Sequence, residues 1–330
     1  MNSPVTARRI AIAIAVLALI AVPYAITETY YVNIASQILL YAIFAMGLNV
    51  LVGYAGLVSL GHAGLFGVAA YIVAYLLAAG FGHAVAILAA LVIGLAVTAG
   101  FAALALRATG ISFIMITLAL GEIIWGVAYR WISLTNGDNG ISVATRPAPF
   151  GFALSSARGF YGATLIVFLL AVAGVAIFVR SPLGAALCGT RDQPRRMTAL
   201  GYHVWMTRFW AFMFSGLLTS AAGILFVYYN QFISPQALAL TASAEGLLMV
   251  ISGGAGTLLG PVVGAALVVI VKNVVSAYVT RWNFMLGAIF VAIVVFMPEG
   301  LVPGMVRLVR SAWRATGRQK TAPSLAVTKQ

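Results

Sequence analysis

The chain has 330 residues, 63% of them hydrophobic and only 8% charged, with a mean hydropathy of +1.06. A water-soluble domain is nearer a quarter charged, so the composition excludes a soluble globule and points to a polytopic membrane protein. The net charge of +13 would suit a nucleic-acid binder, but the cations sit between apolar runs, as at a membrane surface. Cys188 is the single cysteine, which excludes an intramolecular disulfide and a cysteine-based metal site.

A helix needs about 20 apolar residues to cross a bilayer. Ten runs qualify in chain order: about 10–26, 34–52, 57–79, 84–106, 110–130, 160–179, 208–230, 241–256, 258–279 and 283–302, the eighth being short. Unpaired backbone groups are not tolerated in lipid, and the short alternating segments of a β-barrel are absent, so the expected fold class is all-α. Residues 1–306 are read as one transmembrane domain, followed by a basic tail, 307–330, expected to be disordered beyond its first turn.

Arg8 and Arg9 precede the first run, which is long and lacks a small-x-small cleavage site, so an uncleaved helix is expected there. Between the second and third runs lies GYAGLVSLGHAGLFG (53–67), with Asn49 before it and Ser59 and His62 inside it. A related stretch, GGAGTLLGPVVGAA (253–266), joins the eighth and ninth runs. At an offset of 200, Val50/Val250, Gly53/Gly253, Ala55/Ala255, Gly56/Gly256 and Gly64/Gly264 match, which fits either a weak internal repeat or a shared abundance of small residues. Glycines at Gly53, Gly56, Gly253, Gly254 and Gly256 either let helices pack closely or break them along a polar path; Pro261 favours a break.

Ionisable side chains inside a span cost at least about 2.5–3.5 kcal/mol on insertion scales, so each needs a reason. Thr117 and Glu122 lie in the fifth run, Glu245 in the eighth, and Lys272 with Asn273 in the ninth. The glutamates read either as structural caps and interhelical bonds or as the lining of a path, and His62 alone reads first as a packing residue. No His/Asp/Glu set has metal spacing and no serine sits in a nucleophile motif, so no enzyme chemistry is expected. The longest outward loop, 131–159, carries the turn signal Asn136-Gly137-Asp138-Asn139-Gly140, without EF-hand spacing, and reads as a docking or lid loop.

The densest internal charge cluster lies in 180–207, within GTRDQPRRMTALGYH (189–203). Pro194 suits a first helical turn, Asp192 near that start complements the helix dipole, and Gly201 suits the position past a helix end. The spacing predicts a short helix over about 194–200 on the membrane surface. With the N-terminus inside, 14 of the 19 Lys and Arg fall on cytoplasmic segments, including Arg107, Arg180 and Arg208, against Arg130, Arg146, Arg158 and Arg281 outside. That asymmetry predicts an N-in, C-in topology with 180–207 and the tail in the cytoplasm, against anionic lipid.

RDQPRRMTALGYHVWMTRFWAFMFSGLLTSAAGIL (191–225) resembles the cytoplasmic coupling loop of LivM-type permeases, the branched-chain amino-acid permeases of ABC importers. YAIFAMGLNVLVGYAGLVSLGHAGLFGVAAY (41–71), ITLALGEI (116–123), LTNGDNGI (134–141), SAEGLLMVISGGAGTLLGPVVGAA (243–266) and MPEGLVP (297–303) are similar in the same order. The resemblance implies an inner-membrane subunit pairing with a LivH-type permease, two cytoplasmic ATPase subunits and a periplasmic binding protein. Residues 191–201 would then sit in the ATPase cleft, with Arg191, Asp192, Arg195, Arg196, Thr198 and Gly201 as coupling residues. Arg195-Arg196-Met197 departs from the glutamate-alanine-alanine run of other importers. ATP and Mg would belong to the partner, since the chain has no GxxxxGK[ST] loop and no cofactor site. A path for substrate would run past Asn49, Gly53, Gly56, Ser59, His62, Thr117, Glu122, Glu245, Gly253, Gly254 and Gly256. Similar permeases serve branched-chain amino acids, urea or short amides, and aromatic acids. A stand-alone proton-coupled carrier using Glu122 and Glu245, or a scaffold or sensor without flux, are the readings from other classes.

Overall fold

The computed structural model describes residues 17–23, 28–143, 156–278, 282–297, 299–305 and 307. The fold is all-α apart from one two-residue antiparallel pair, Ile141–Ser142 with Phe232–Ile233. In chain order the main helices are α1 (Thr29–Asn49), α2 (His62–Ala78), α3 (His83–Ala105), α4 (Ile111–Arg130), α5 (Ala157–Arg180), α6 (Pro182–Asp192), α7 (Pro194–Ala199), α8 (Val204–Asn230), α9 (Leu240–Gly253), α10 (Gly260–Tyr278) and α11 (Trp282–Phe296). Among the described residues five helices are long and apolar enough to cross a membrane, and three apolar ones are shorter. The second to ninth expected spans each coincide with one of these eight helices and the tenth overlaps α11, while most of the first, 10–26, and nearly all of the tail lie outside the described residues. The helical part of the first run, 17–23, docks on α5, where the Tyr161 hydroxyl donates to the Leu19 carbonyl at 2.8 Å.

Two helices form the axis of the bundle. α1 with its extension to Ala55 and α8 are mostly buried, whereas α3, α4 and α5 bury only about a quarter of their apolar windows. Leu88, Val92, Met115, Ile123, Leu170 and Ile177 stand fully out from these outer helices. Such a continuous apolar exterior is stable only against lipid or another protein. Thr98 on α3 and Thr164 on α5 return their hydroxyls to their own helices, to Gly94 O at 2.7 Å and Phe160 O at 2.9 Å, whereas Thr219 and Ser220 on α8 are buried without a hydrogen-bond partner among the described residues.

The connections sort to opposite ends. One end gathers the 131–143 turn and residues 232–238, tied by the short strand pair and by Val143 N donating to Gln231 O at 2.8 Å. The other gathers 53–61, α6, 254–260 and 299–303, where the two glycine-rich stretches meet. α2, at 17 residues, rises about 26 Å, and α9, at 14, about 21 Å, both short of a hydrocarbon core of about 30 Å. Their missing length is the non-helical backbone beside them.

Candidate functional site

α1 does not stop cleanly. It widens into a π-helix over Val50–Ala55 and ends at Gly56 in the left-handed region, φ 68°. Residues 56–61 then run without helix into the bundle, until α2 starts at His62. A π-segment and an extended run leave N–H and C=O groups unpaired at membrane depth, and these must be satisfied from the side. Leu60 N donates to Thr117 Oγ1 at 3.3 Å and Ala63 N to Ser243 Oγ at 3.0 Å.

A longer relay fixes the turn itself. Ser215 Oγ donates to Gly47 O at 2.6 Å, so it accepts from His62 Nε2 at 2.9 Å. His62 Nδ1 is then the acceptor for the Ser59 hydroxyl at 2.9 Å, and Ser59 Oγ accepts from Gly61 N at 3.4 Å. The neutral tautomer with hydrogen on Nε2 is the one this network permits. Ser59, His62, Thr117 and Ser215 are completely buried, so in this conformation they brace the break rather than face an open passage.

The second break lies over 254–259, between α9 and α10, with Gly254 at φ 116° and Gly256 at φ 77°. It packs directly on the first. Asn49 Oδ1 accepts from Gly256 N at 2.9 Å and its Nδ2 donates to Thr257 O at 3.0 Å, one buried amide closing both ends of a foreign turn. A methyl on Gly53 would overlap both the Gly256 nitrogen and Asn49 Oδ1, which is why this contact needs glycine. The two glycine-rich stretches that match at an offset of 200 are therefore partners in contact. Gly253 abuts the Gly260 backbone, and Gly254 is closed from below by Gly300 and Pro303.

Above this pair of breaks stands the charged segment. The helix expected over 194–200 is present as α7, Pro194–Ala199, but it is preceded by a second helix, α6, that the sequence reading treated as loop. Ser181 caps α6 by accepting from Gly184 N at 3.2 Å, with Pro182 in the first turn. Gly201, φ 86°, ends α7 with the paired bonds of a Schellman motif, Gly201 N to Thr198 O and Tyr202 N to Met197 O, each 3.0 Å. α7 buries no residue, and Met197, its least exposed side chain, lies with its sulfur against Gly189 of α6.

Among the expected coupling residues, Arg195 and Arg196 point outward. Thr198 is exposed and bonds back to Pro194 O at 3.1 Å. Asp192 is the last residue of α6 and directly precedes Gln193, the N-cap of α7, and it ion-pairs with Arg191 Nε at 2.9 Å. Arg191 turns inward. Its Nη1 donates to Gly53 O at 2.7 Å, and its side chain lies against Gly56. α6 and the π-helical break are thus joined by a charge-assisted bond. Arg208, at the foot of α8, donates to Thr190 O at 3.0 Å and fixes α6 from the other side.

The two glutamates separate. Glu245 pairs with Lys272 at 3.3 Å across α9 and α10. Glu122 is half-buried in the middle of α4 and forms no hydrogen bond or ion pair among the described residues. No bond joins the two carboxylates among the described residues, and no His, Cys, Asp or Glu cluster there could hold a metal. Ser215, Ser243 and the Lys272 partnership of Glu245 are contacts around the breaks that sequence reasoning did not find.

A broken-helix bundle whose breaks are tied to an exposed basic helix has the organisation of a transport permease. The family model for the permease component of the branched-chain amino acid transport system matches residues 30–294, and the chain belongs to that family. It is 30% identical over 298 residues to the high-affinity branched-chain amino acid transport system permease protein LivM of Salmonella typhimurium and to that of Escherichia coli, covering 82% of this chain and 70% of each relative. It is also 29% identical over 244 residues to the autoinducer 2 import system permease protein LsrC of Yersinia enterocolitica, covering 70% of this chain and 64% of the relative. No solved structure matches it. The chain is a multi-pass, LivM-type ABC permease subunit and not an enzyme.

Proposed function

We propose that this chain is one of two membrane permeases in an ATP-driven importer that carries branched-chain amino acids across the bacterial inner membrane. The observation that carries the reading is the 2.7 Å bond from Arg191 to Gly53 O, which links the exposed α6–α7 unit to the paired breaks. ATPase subunits would bind the exposed face of α7 at Arg195 and Arg196, and their movement would be passed through Met197, α6 and Arg191 to the 50–61 and 254–260 segments. Because non-helical backbone has fewer internal bonds to break than helix, these segments are where the bundle can rearrange at least cost. ATP and Mg belong to those partners, and substrate comes from a periplasmic binding protein.

The topology in this reading is N-in and C-in. It places Arg191, Arg195 and Arg196 on the cytoplasmic side and the 131–143 turn on the periplasmic side, with the ends sorted as the helices sort them. Glu122 supports a second permease: a carboxylate at mid-helix, beside exposed Ile111, Met115 and Tyr129, needs cover other than lipid. The autoinducer 2 permeases among the relatives keep other small polar substrates as the second reading.

Reconstitution of the whole complex in proteoliposomes tests this. The Arg195→Glu/Arg196→Glu chain is expected to insert but to lose ATPase association and ATP-driven leucine uptake. Uptake by this chain alone, driven by a proton gradient, would replace the proposal with a stand-alone carrier using Glu122 and Glu245.

A further inference from the structure

Glu245 and Lys272 sit on adjacent membrane helices, with Lys272 Nζ 3.3 Å and 3.4 Å from the two carboxylate oxygens. An ion pair is an expensive way to join two helices in a membrane, and α9 and α10 do not need it. Their backbones already touch, since a methyl on Gly264 would overlap the Met249 carbonyl and one on Gly253 the Gly260 carbonyl. Glu245 also lines a recess, with Lys272 directly behind its carboxylate, and the side chains of Lys272 and Glu245 remain 35% and 24% exposed.

Glu245 forms one wall of that recess, Tyr41, Phe44, Phe66, Phe226 and Met249 form most of the others, and Ala242 lies at its edge among the small lining residues. The rings make an edge-to-face chain, Phe44 to Phe66 at 5.2 Å, Phe66 to Phe226 at 5.0 Å and Phe226 to Tyr41 at 6.4 Å between centroids. Gly246 is what lets Phe44 lie against α9. Tyr41 and Glu245 are each eight residues before the last residue of their helix, Asn49 and Gly253, about 12 Å at the helical rise. The recess therefore lies between the two broken helices, at equal height above their contact.

We propose that this recess is a substrate subsite for a zwitterionic α-amino acid with an aliphatic side chain, within the importer proposed above. The Lys272 ammonium takes the α-carboxylate, the Glu245 carboxylate takes the α-ammonium, and the aromatic wall takes the side chain. A zwitterion entering between the two ions gives each a new partner of the same sign as the old one, so no charge is left unpaired at any stage. A neutral amide or a simple carboxylic acid leaves at least one of them unmatched, which selects against both. In the present conformation the space is about 40 Å³, room for water and not for an amino acid. The pair is self-satisfied, and the site opens when α9 and α1 move apart at their breaks.

The test uses the whole complex in proteoliposomes with radiolabelled leucine. Glu245→Gln/Lys272→Met removes both charges together and leaves neither stranded, and a merely structural pair would tolerate it. Leucine uptake is expected to fall about tenfold or more; uptake within about twofold of the wild type overturns the subsite but leaves the importer reading intact. A wild-type complex that hydrolyses ATP and takes up no leucine removes the branched-chain amino-acid reading instead. A second measurement is independent of the charge variant: in a Cys188→Ser/Ala242→Cys chain within the complex, leucine is expected to slow maleimide modification severalfold, with and without nucleotide compared. Isocaproate, which lacks the amine, and isoamylamine, which lacks the carboxylate, are expected to leave the rate unchanged. Equal rates with and without leucine, or equal slowing by all three compounds, overturn the proposal.

Discussion

His62 illustrates at the residue scale what polar side chains do inside this bundle. Its two nitrogens complete a relay from Gly61 N–H to Gly47 C=O, so a break in the helix is satisfied without water. Ser215→Ala removes the middle of that relay and strands the buried His62 Nε2–H, at a cost of about 1–3 kcal/mol. Thermal unfolding of the purified chain in detergent should show a lower midpoint, and an unchanged one would mean the relay carries no stability. Two glycines make a sharper comparison. Gly53→Ala drives a methyl into backbone and should cost about 1–3 kcal/mol by overpacking. Gly201→Ala meets open space and bears only the strain of φ 86°, about 1 kcal/mol. The same melting experiment ranks them, and the reverse order would show that the Gly53 contact is loose.

At the scale of elements, the central feature is a break in α1 seated on a break between α9 and α10, held by one amide. Asn49→Leu keeps the bulk of the side chain and deletes both bonds to 256–257. Hydrogen exchange of residues 254–259 should quicken while α3 and α5 stay unchanged; unchanged exchange at 254–259 would place the clamp elsewhere. The positions of these breaks were legible because Gly53, Gly56, Gly254 and Gly256 interrupt apolar runs, and α7 was legible from Pro194 and Gly201. Three things were not. α6 was hidden because its apolar content is modest, and Ser181-Pro182 is a start signal only when the following residues are taken as helix. The Asp192 partner depended on which helix Asp192 belongs to. Ser215, Ser243 and the Glu245–Lys272 pair answer groups 27 or more residues away, and lone hydroxyls or charges carry no spacing that reveals a partner on another helix.

For the whole molecule, the account makes the sorting of its ends a statement about sidedness. In a Cys188→Ser chain, Thr198→Cys should react with an impermeant maleimide in inside-out vesicles only, and Asp138→Cys in right-side-out cells only. Both residues are exposed in the chain freed of its ATPase subunits, so failure to label there reflects sidedness, and labelling of both from one face would refute the topology. The central claim is that motion at the ATPase reaches the paired breaks through a single guanidinium. ATP-driven leucine uptake by the fully assembled importer carrying Arg191→Ala measures it most directly. The account predicts that the complex assembles with its ATPase subunits while uptake falls about tenfold or more, with Arg191→Lys recovering part of it. Uptake equal to that of the wild type would show that the Arg191–Gly53 bond does not carry the coupling.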